Sequence, residues 1–258
     1  MIDTHCHLTY DPLFDQIDDV LLRAAEAGVD RMISVGTTLD DARKASELAS
    51  QHKNLFSTVG VHPHYADEWT DKEAVQKTMR ELAVLPHVVA LGEMGLDKHY
   101  SDPPIESQQR VLGWQLEVAA DSKLPIIIHN REATDQTLSI LQDSGIAPQR
   151  FVFHCFTGDL DEFDAILNFG AMISFTGITT FKSAAHLGEA AAKIPDDRIM
   201  VETDSPYLTP EPHRKVRPNE PRYVVDVARF IAEKRGMTQA AFIELADRNA
   251  VRFFGLPQ

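Results

Sequence analysis

Two cysteines, Cys6 and Cys155, in 258 residues are too few for a disulfide framework. No apolar run approaches the roughly 18 residues needed to span a bilayer. The chain opens MIDTHCHL, without a basic stretch followed by an apolar segment and a cleavage site. No leader is expected, and a reducing cytoplasm is the simplest home for two free thiols. A net basic charge is also missing: 25 Lys and Arg face 39 Asp and Glu, a formal charge of −14. That counts against tight sliding on duplex DNA, whose binders are usually basic. It leaves room for brief engagement of a strand end, because divalent cations in a cleft invert the local potential where a phosphate arrives. Repeats, low-complexity tracts and linkers are absent too, so one domain spanning 1–258 is expected.

What is present is an ordinary globular core, 43% hydrophobic, in a length close to the roughly 250 residues of one TIM barrel. Short apolar, β-branched segments recur at Met1–His5, Arg31–Gly36, Phe56–His62, Val88–Glu93, Leu124–His129, Phe151–His154, Ala171–Phe175 and Ile199–Asp204. Between them lie stretches with helical spacing. Phe14, Ile17, Val20, Leu21 and Ala24 repeat at three or four residues, with Gly28 placed as a C-cap. Asp40 precedes another helix. Leu112, Leu116 and Ala119 mark a third, and Leu138–Leu141 and Phe163–Leu167 continue the pattern. A proline-rich, basic stretch at 209–221 leads to helices near Tyr223–Arg235 and Gln239–Arg252. Strands alternating with helices, without hairpin signals, imply parallel strands joined by crossovers. About eight of them close a barrel, so the fold class expected is α/β, a single (β/α)8 TIM barrel. An open doubly wound sheet would want a Gly-rich loop after its first strand, where His5-Cys6-His7 stands instead.

The chemistry-bearing residues fall at the C-terminal ends of these strands, the face where barrel enzymes build active sites. His5 and His7 end the first, Glu93 the fourth, His129 the fifth, His154 the sixth and Asp204 the eighth. Burying so many titratable groups without partners costs kilocalories each, and a metal removes that cost. In a strand, residues two apart project to one side, about 6.5–7 Å from each other. Both imidazoles of His5-x-His7 can therefore converge on one ion. Cys6 and Cys155 face away from these histidines and are read as buried free thiols.

The segments MIDTHCHL, VGVHPH, LGEMGLD, IIIHNREA, VFHCFTG, VETDSPYL and NAVRFFG, in this order over the whole chain, resemble the TatD family of metal-dependent deoxyribonucleases. Two departures stand out. Thr9 follows Leu8 where the family has Asp or Asn, and the stretch His213–Pro221 lacks a glycine. Neither touches a proposed ligand; both bear on substrate handling. The resemblance implies one ion on His5, His7 and Asp204 and a second on His129 and His154, with Glu93 bridging. Metals about 3.5–4 Å apart can share a water, lower its pKa and clamp both oxygens of a phosphodiester displacement. Asp204 would accept the proton, and Glu93 would share the catalytic role.

Four imidazoles and two carboxylates suit zinc or manganese better than magnesium, which prefers oxygen and water. His62 is expected to contact substrate or solvent. Arg131 is placed to reach a non-bridging phosphate oxygen, and Arg214, with Lys215 and Arg217, to position phosphate. The activity implied is exonucleolytic cleavage of single-stranded DNA. The rival is ester or amide hydrolysis, such as deacylation of mischarged transfer RNA, since the same activated water attacks carbonyls. Cyclic-amide hydrolases share HxH but often bridge their metals by a modified lysine, and here Glu93 holds that position.

Overall fold

The computed structural model describes residues 1–257. Eight strands, β1 (Ile2–Cys6), β2 (Arg31–Ser34), β3 (Leu55–Val59), β4 (Val88–Asp97), β5 (Ile126–Arg131), β6 (Phe151–Phe153), β7 (Met172–Phe175) and β8 (Ile199–Val201), follow one another in sheet order. Helices α1 (Ile17–Glu26), α2 (Leu39–Gln51), α3 (Lys72–Ala83), α4 (Ile105–Asp121), α5 (Thr134–Asp143), α6 (Leu160–Phe169) and α7 (Ala185–Lys193) fill the seven crossovers. Helices α8 (Val224–Arg235) and α9 (Gln239–Phe254) complete the chain. This is the (β/α)8 barrel class the alternation predicts. No described helix is long and apolar enough to cross a membrane.

The chain divides into two compact units. The first comprises Met1–Ser34, Cys155–Leu160 and the chain from Ile173 onward. In it β1 pairs in parallel with β2, and β7 with β8. Beyond β8 the backbone reaches β1: Asp204 N–H donates to His5 O (2.9 Å) and His7 N–H to Ser205 O (2.7 Å). The second unit comprises Val35–His154 and Asp161–Met172, with β3, β4, β5 and β6 paired in parallel in that order. All residues of β3 and β4 are buried, as expected for parallel strands covered on both faces. The near-continuous apolar runs of the sequence follow from that burial.

Several boundaries differ from expectation, each for a backbone reason. β4 continues through Asp97 because its far half pairs with β5, Gly95 opposite His129 and Asp97 opposite Arg131. Glu93 therefore lies mid-strand, not at its end. β8 stops at Val201, and Asp204 sits beyond it with φ 53°. That conformation is uncommon outside glycine and best tolerated by Asp and Asn. Helix α2 begins at Leu39, with the Thr38 hydroxyl accepting from Asp41 N–H; Asp40 is in its first turn, not before it. Gly28 does take the left-handed conformation after α1 (φ 84°). Cys6 is buried, but Cys155 is only half-buried; it lies past the end of β6 with φ 46°, where strand alternation no longer governs it.

Candidate metal centre

In the first unit, His5 lies on β1 and His7 one residue past its end. The backbone bonds between Asp204 and His5, and between His7 and Ser205, bring the Asp204 carboxylate to both rings. Asp204 Oδ1 lies 3.2 Å from His7 Nε2 and 3.8 Å from His5 Nε2. The longer spacing exceeds hydrogen-bond length. Donors about 2.0–2.2 Å from a shared zinc ion stand roughly 3–3.5 Å from one another; Asp204 and His7 have that spacing, and His5 stands slightly beyond it from Asp204. His7 is held from the side by stacking on Tyr10, ring centroids 5.0 Å apart. Below it, buried Asp3 accepts from Thr203 N–H (2.9 Å), the Thr203 hydroxyl (2.5 Å) and His5 N–H (3.3 Å). Burial pushes Asp3 up to about 8, against the lowering effect of those bonds.

In the second unit, Glu93 Oε1 stands 2.6 Å from His154 Nε2, 2.8 Å from His129 Nδ1 and 3.4 Å from His62 Nε2. The other nitrogen of His129, Nε2, lies 2.9 Å from Asp97 Oδ2 and spends its proton there. That leaves the Nδ1 lone pair facing a carboxylate oxygen, a repulsive contact unless positive charge lies between them. A proton does this in the bare site, and a divalent ion does it equally well. The group thus fits a metal. Burial lowers the His129 pKa, but the bonds to Asp97 and Glu93 raise it more, and the net direction is up. Glu93, raised by burial, is held well below the usual carboxylate range by His154, His62 and His129. His62 differs. Its Nδ1 accepts the His64 N–H (3.1 Å) and burial pushes it down to about 4, so it is a neutral ring whose Nε2–H lies 3.2 Å from His129 Nδ1 and 3.4 Å from Glu93 Oε1. It is a buried hydrogen-bond donor beside the cluster, with both ring nitrogens engaged within the protein.

Residues 2–255 match the family described as TatD related DNase. The chain belongs to the TatD family. It is 36% identical over 254 residues to a Bacillus subtilis protein named uncharacterized metal-dependent hydrolase YabD, covering 98% of both chains. It is 35% identical over 262 residues to the Escherichia coli K12 protein named 3'-5' ssDNA/RNA exonuclease TatD, covering 99% of each. The crystal structure of YJJV, a TatD homologue from Escherichia coli K12, superimposes with a TM-score of 0.93 at 28% identity, over 100% of this chain and 98% of that one. A TatD-family chain is a metal-dependent hydrolase, and the donor sets above suit that description.

Four carboxylates or amides that support this TatD-family site went unread in the sequence. Asp97 is buried and accepts from both His129 and His64 at Oδ2, each 2.9 Å away, and from His99 N–H at Oδ1 (2.9 Å). The carboxamide of Gln108 clamps its backbone, donating to Asp97 O and accepting from Asp97 N–H. Glu202, also buried, accepts from Cys155 N–H (2.7 Å) and the Ser174 hydroxyl (2.6 Å). Asn219 is fully buried and donates to Thr203 O (3.0 Å) and Tyr207 O, closing the loop that carries Asp204. Spacing could have found Asp97 and Glu202. Asp97 is four residues beyond Glu93 in one strand, on the same side, and Glu202 is two before Asp204.

The arginines fall at less central places. Arg131 ends β5, half-buried, its guanidinium 5.5 Å from the Tyr100 ring centroid. Arg214 is exposed and lies 3.8 Å over the Phe181 ring. Arg217 is exposed and staples its own loop, donating to Thr209 Oγ1, Arg214 O and Val216 O.

Proposed function

We propose that this chain hydrolyses phosphodiester bonds in DNA, stepwise from the end of a single strand. One divalent ion is held by His5, His7 and Asp204, and another by Glu93, His129 and His154. The observation that carries this reading is a carboxylate oxygen set among imidazole nitrogens in each unit. It occurs in a chain whose relatives include one named as a single-strand exonuclease. Zinc or manganese suits these nitrogen-rich sets best. Bound there, such ions would acidify a water and neutralise phosphate charge.

The protein's own groups do the rest. Asp204, fixed in its left-handed turn, takes the proton from the attacking water; a general base must lie within hydrogen-bond reach of its target. Asp97 orients His129, so that Nδ1 and not Nε2 faces Glu93. His62 offers a neutral N–H donor beside the cluster. Arg131 and Arg214 supply guanidinium groups for phosphate oxygens. The name of the Escherichia coli relative favours attack from the 3′ end.

The test combines elemental analysis with end-labelled oligonucleotides. The loaded protein should carry two ions per chain and release mononucleotides from ordinary single strands, stalling at a 3′-terminal phosphorothioate. Acyl-tRNA and a dihydropyrimidine run in parallel. Hydrolysis of either, with oligonucleotides untouched across zinc, manganese and magnesium, would replace the nuclease reading with the ester or amide one.

A further inference from the structure

We propose that Tyr100, flanked by His64 and Arg131, is a stacking subsite for the unpaired nucleobase at the strand end being cut. The proposal rests on the nuclease reading and adds what recognises the strand. Among described residues the large apolar side chains left exposed are Leu22, Val84, Tyr100, Tyr207 and Val216. Tyr100 is 52% exposed and is the one that belongs to the rim of the Glu93 cluster. Its ring meets His64 at 5.2 Å and His99 at 4.9 Å, both edge-on. His64 in turn lies 5.9 Å from the His129 ring and shares Asp97 with it. Tyr100 is thus two ring contacts from a proposed metal ligand, on the scale of one nucleotide.

The ring is exposed but not loose. Tyr100 N–H points to Asp97 Oδ1 (3.4 Å) and His99 N–H to the same oxygen (2.9 Å). His99 is also fixed through Nδ1 to Glu132 Oε1 (2.7 Å). Arg131 stands over the Tyr100 ring, and Lys98 donates its N–H to Arg131 O. A fixed, solvent-facing aromatic ring beside a guanidinium is the arrangement that binds single strands without sequence preference, since every base offers a π-face. A base inside a duplex has both faces covered by its neighbours, so such a platform selects unpaired ends. It also supplies affinity that phosphate attraction cannot give a protein of net charge −14.

The experiment measures KM for single strands with ordinary or abasic terminal nucleotides, using wild type, Tyr100→Ala and Tyr100→Phe. With wild type, removing the terminal base should raise KM roughly 5- to 100-fold. Tyr100→Ala should raise KM for the ordinary strand to the same level and leave the abasic strand unchanged, while Tyr100→Phe restores discrimination. An equal effect of Tyr100→Ala on both strands, or on neither, overturns the subsite. A second arm follows thymidine monophosphate and deoxyribose 5-phosphate binding by NMR, which needs no turnover. Preference for the nucleotide in wild type, abolished by Tyr100→Ala, supports the proposal. Equal binding of the two overturns it, even if wild type cleaves no oligonucleotide and the nuclease reading itself falls.

Discussion

Asp97 accepts two imidazole N–H groups at one oxygen and backbone N–H groups at the other, which satisfies a buried carboxylate without a counter-ion at its side. Carboxylates placed this way set the tautomer of a ligating histidine, and their loss typically costs 10–100-fold in metal affinity or activity. Asp97→Asn should therefore lower metal affinity at the Glu93 cluster by about 10- to 100-fold, read by competition with a chelator, while the far-ultraviolet spectrum is unchanged. Undiminished affinity would show that His129 needs no such partner. Asp204→Asn keeps a residue that tolerates the left-handed turn but removes base and ligand together. One ion per chain should be lost and kcat should fall at least about 100-fold; a near-normal kcat would assign the proton to another group. At this scale the sequence was legible where chemistry is rare. Histidine and acid close to apolar runs stand out, as His5, His7, Glu93, His129, His154 and Asp204 do. Asp97 and Glu202 escaped because a supporting carboxylate has no residue type of its own. Only its spacing from a ligand betrays it.

Elements place those residues through close backbone approach. Gly95, at φ 154°, lies opposite His129 in the β4–β5 ladder, and a Cβ there would collide with the His129 carbonyl. Gly95→Ala must push the strands apart or tilt His129, so both stability and metal content should drop, the former by about 1–3 kcal/mol as for other overpacked sites. Denaturant unfolding and elemental analysis check the two halves of that statement; wild-type values for both would mean the ladder has slack. Asn219 has the matching role after β8. Asn219→Ala removes the donor that bridges the Thr203 and Tyr207 carbonyls, a loss of about 1–3 kcal/mol, visible as a Tm several degrees lower. The eight strands were legible from their apolar runs, and their ends were not, because pairing partners decide where a strand stops. Nothing in LGEMGLD announces that the ladder with β5 runs on past Glu93. Likewise, nothing in IMVETD announces that β8 ends at Val201 and that Asp204 is held by a backbone bond to β1.

For the whole molecule, charge is the dominant trait. With a formal charge of −14, the protein repels a polyanion beyond the immediate reach of its metals. Basic DNA-binding proteins lose affinity steeply as salt rises. Here screening removes repulsion as well as attraction, so kcat/KM on single strands should change little between 50 and 200 mM salt, or rise. A fall of a hundredfold or more would reveal a basic track that the net charge conceals. Metal ties folding to function in the same way. A ligand at 100 times its Kd adds about 2.7 kcal/mol to stability, so chelation should lower Tm measurably and zinc or manganese should restore it. An unchanged Tm would mean that neither cluster binds tightly.

The loop after Asp204 is clasped at its two extremities and stapled in between by Arg217, which donates to Thr209 Oγ1, Arg214 O and Val216 O. Thr180 Oγ1 accepts Glu211 N–H at one side. At the other, Arg23 of α1 grips Glu220 through two bonds, of 2.8 and 3.2 Å. The side chains of Arg214, Lys215 and Val216 are exposed and can be rewritten without loosening either clasp or the staple. Descendants of this chain can therefore trade one clientele for another by editing three exposed positions, while the machinery that breaks the bond is inherited intact.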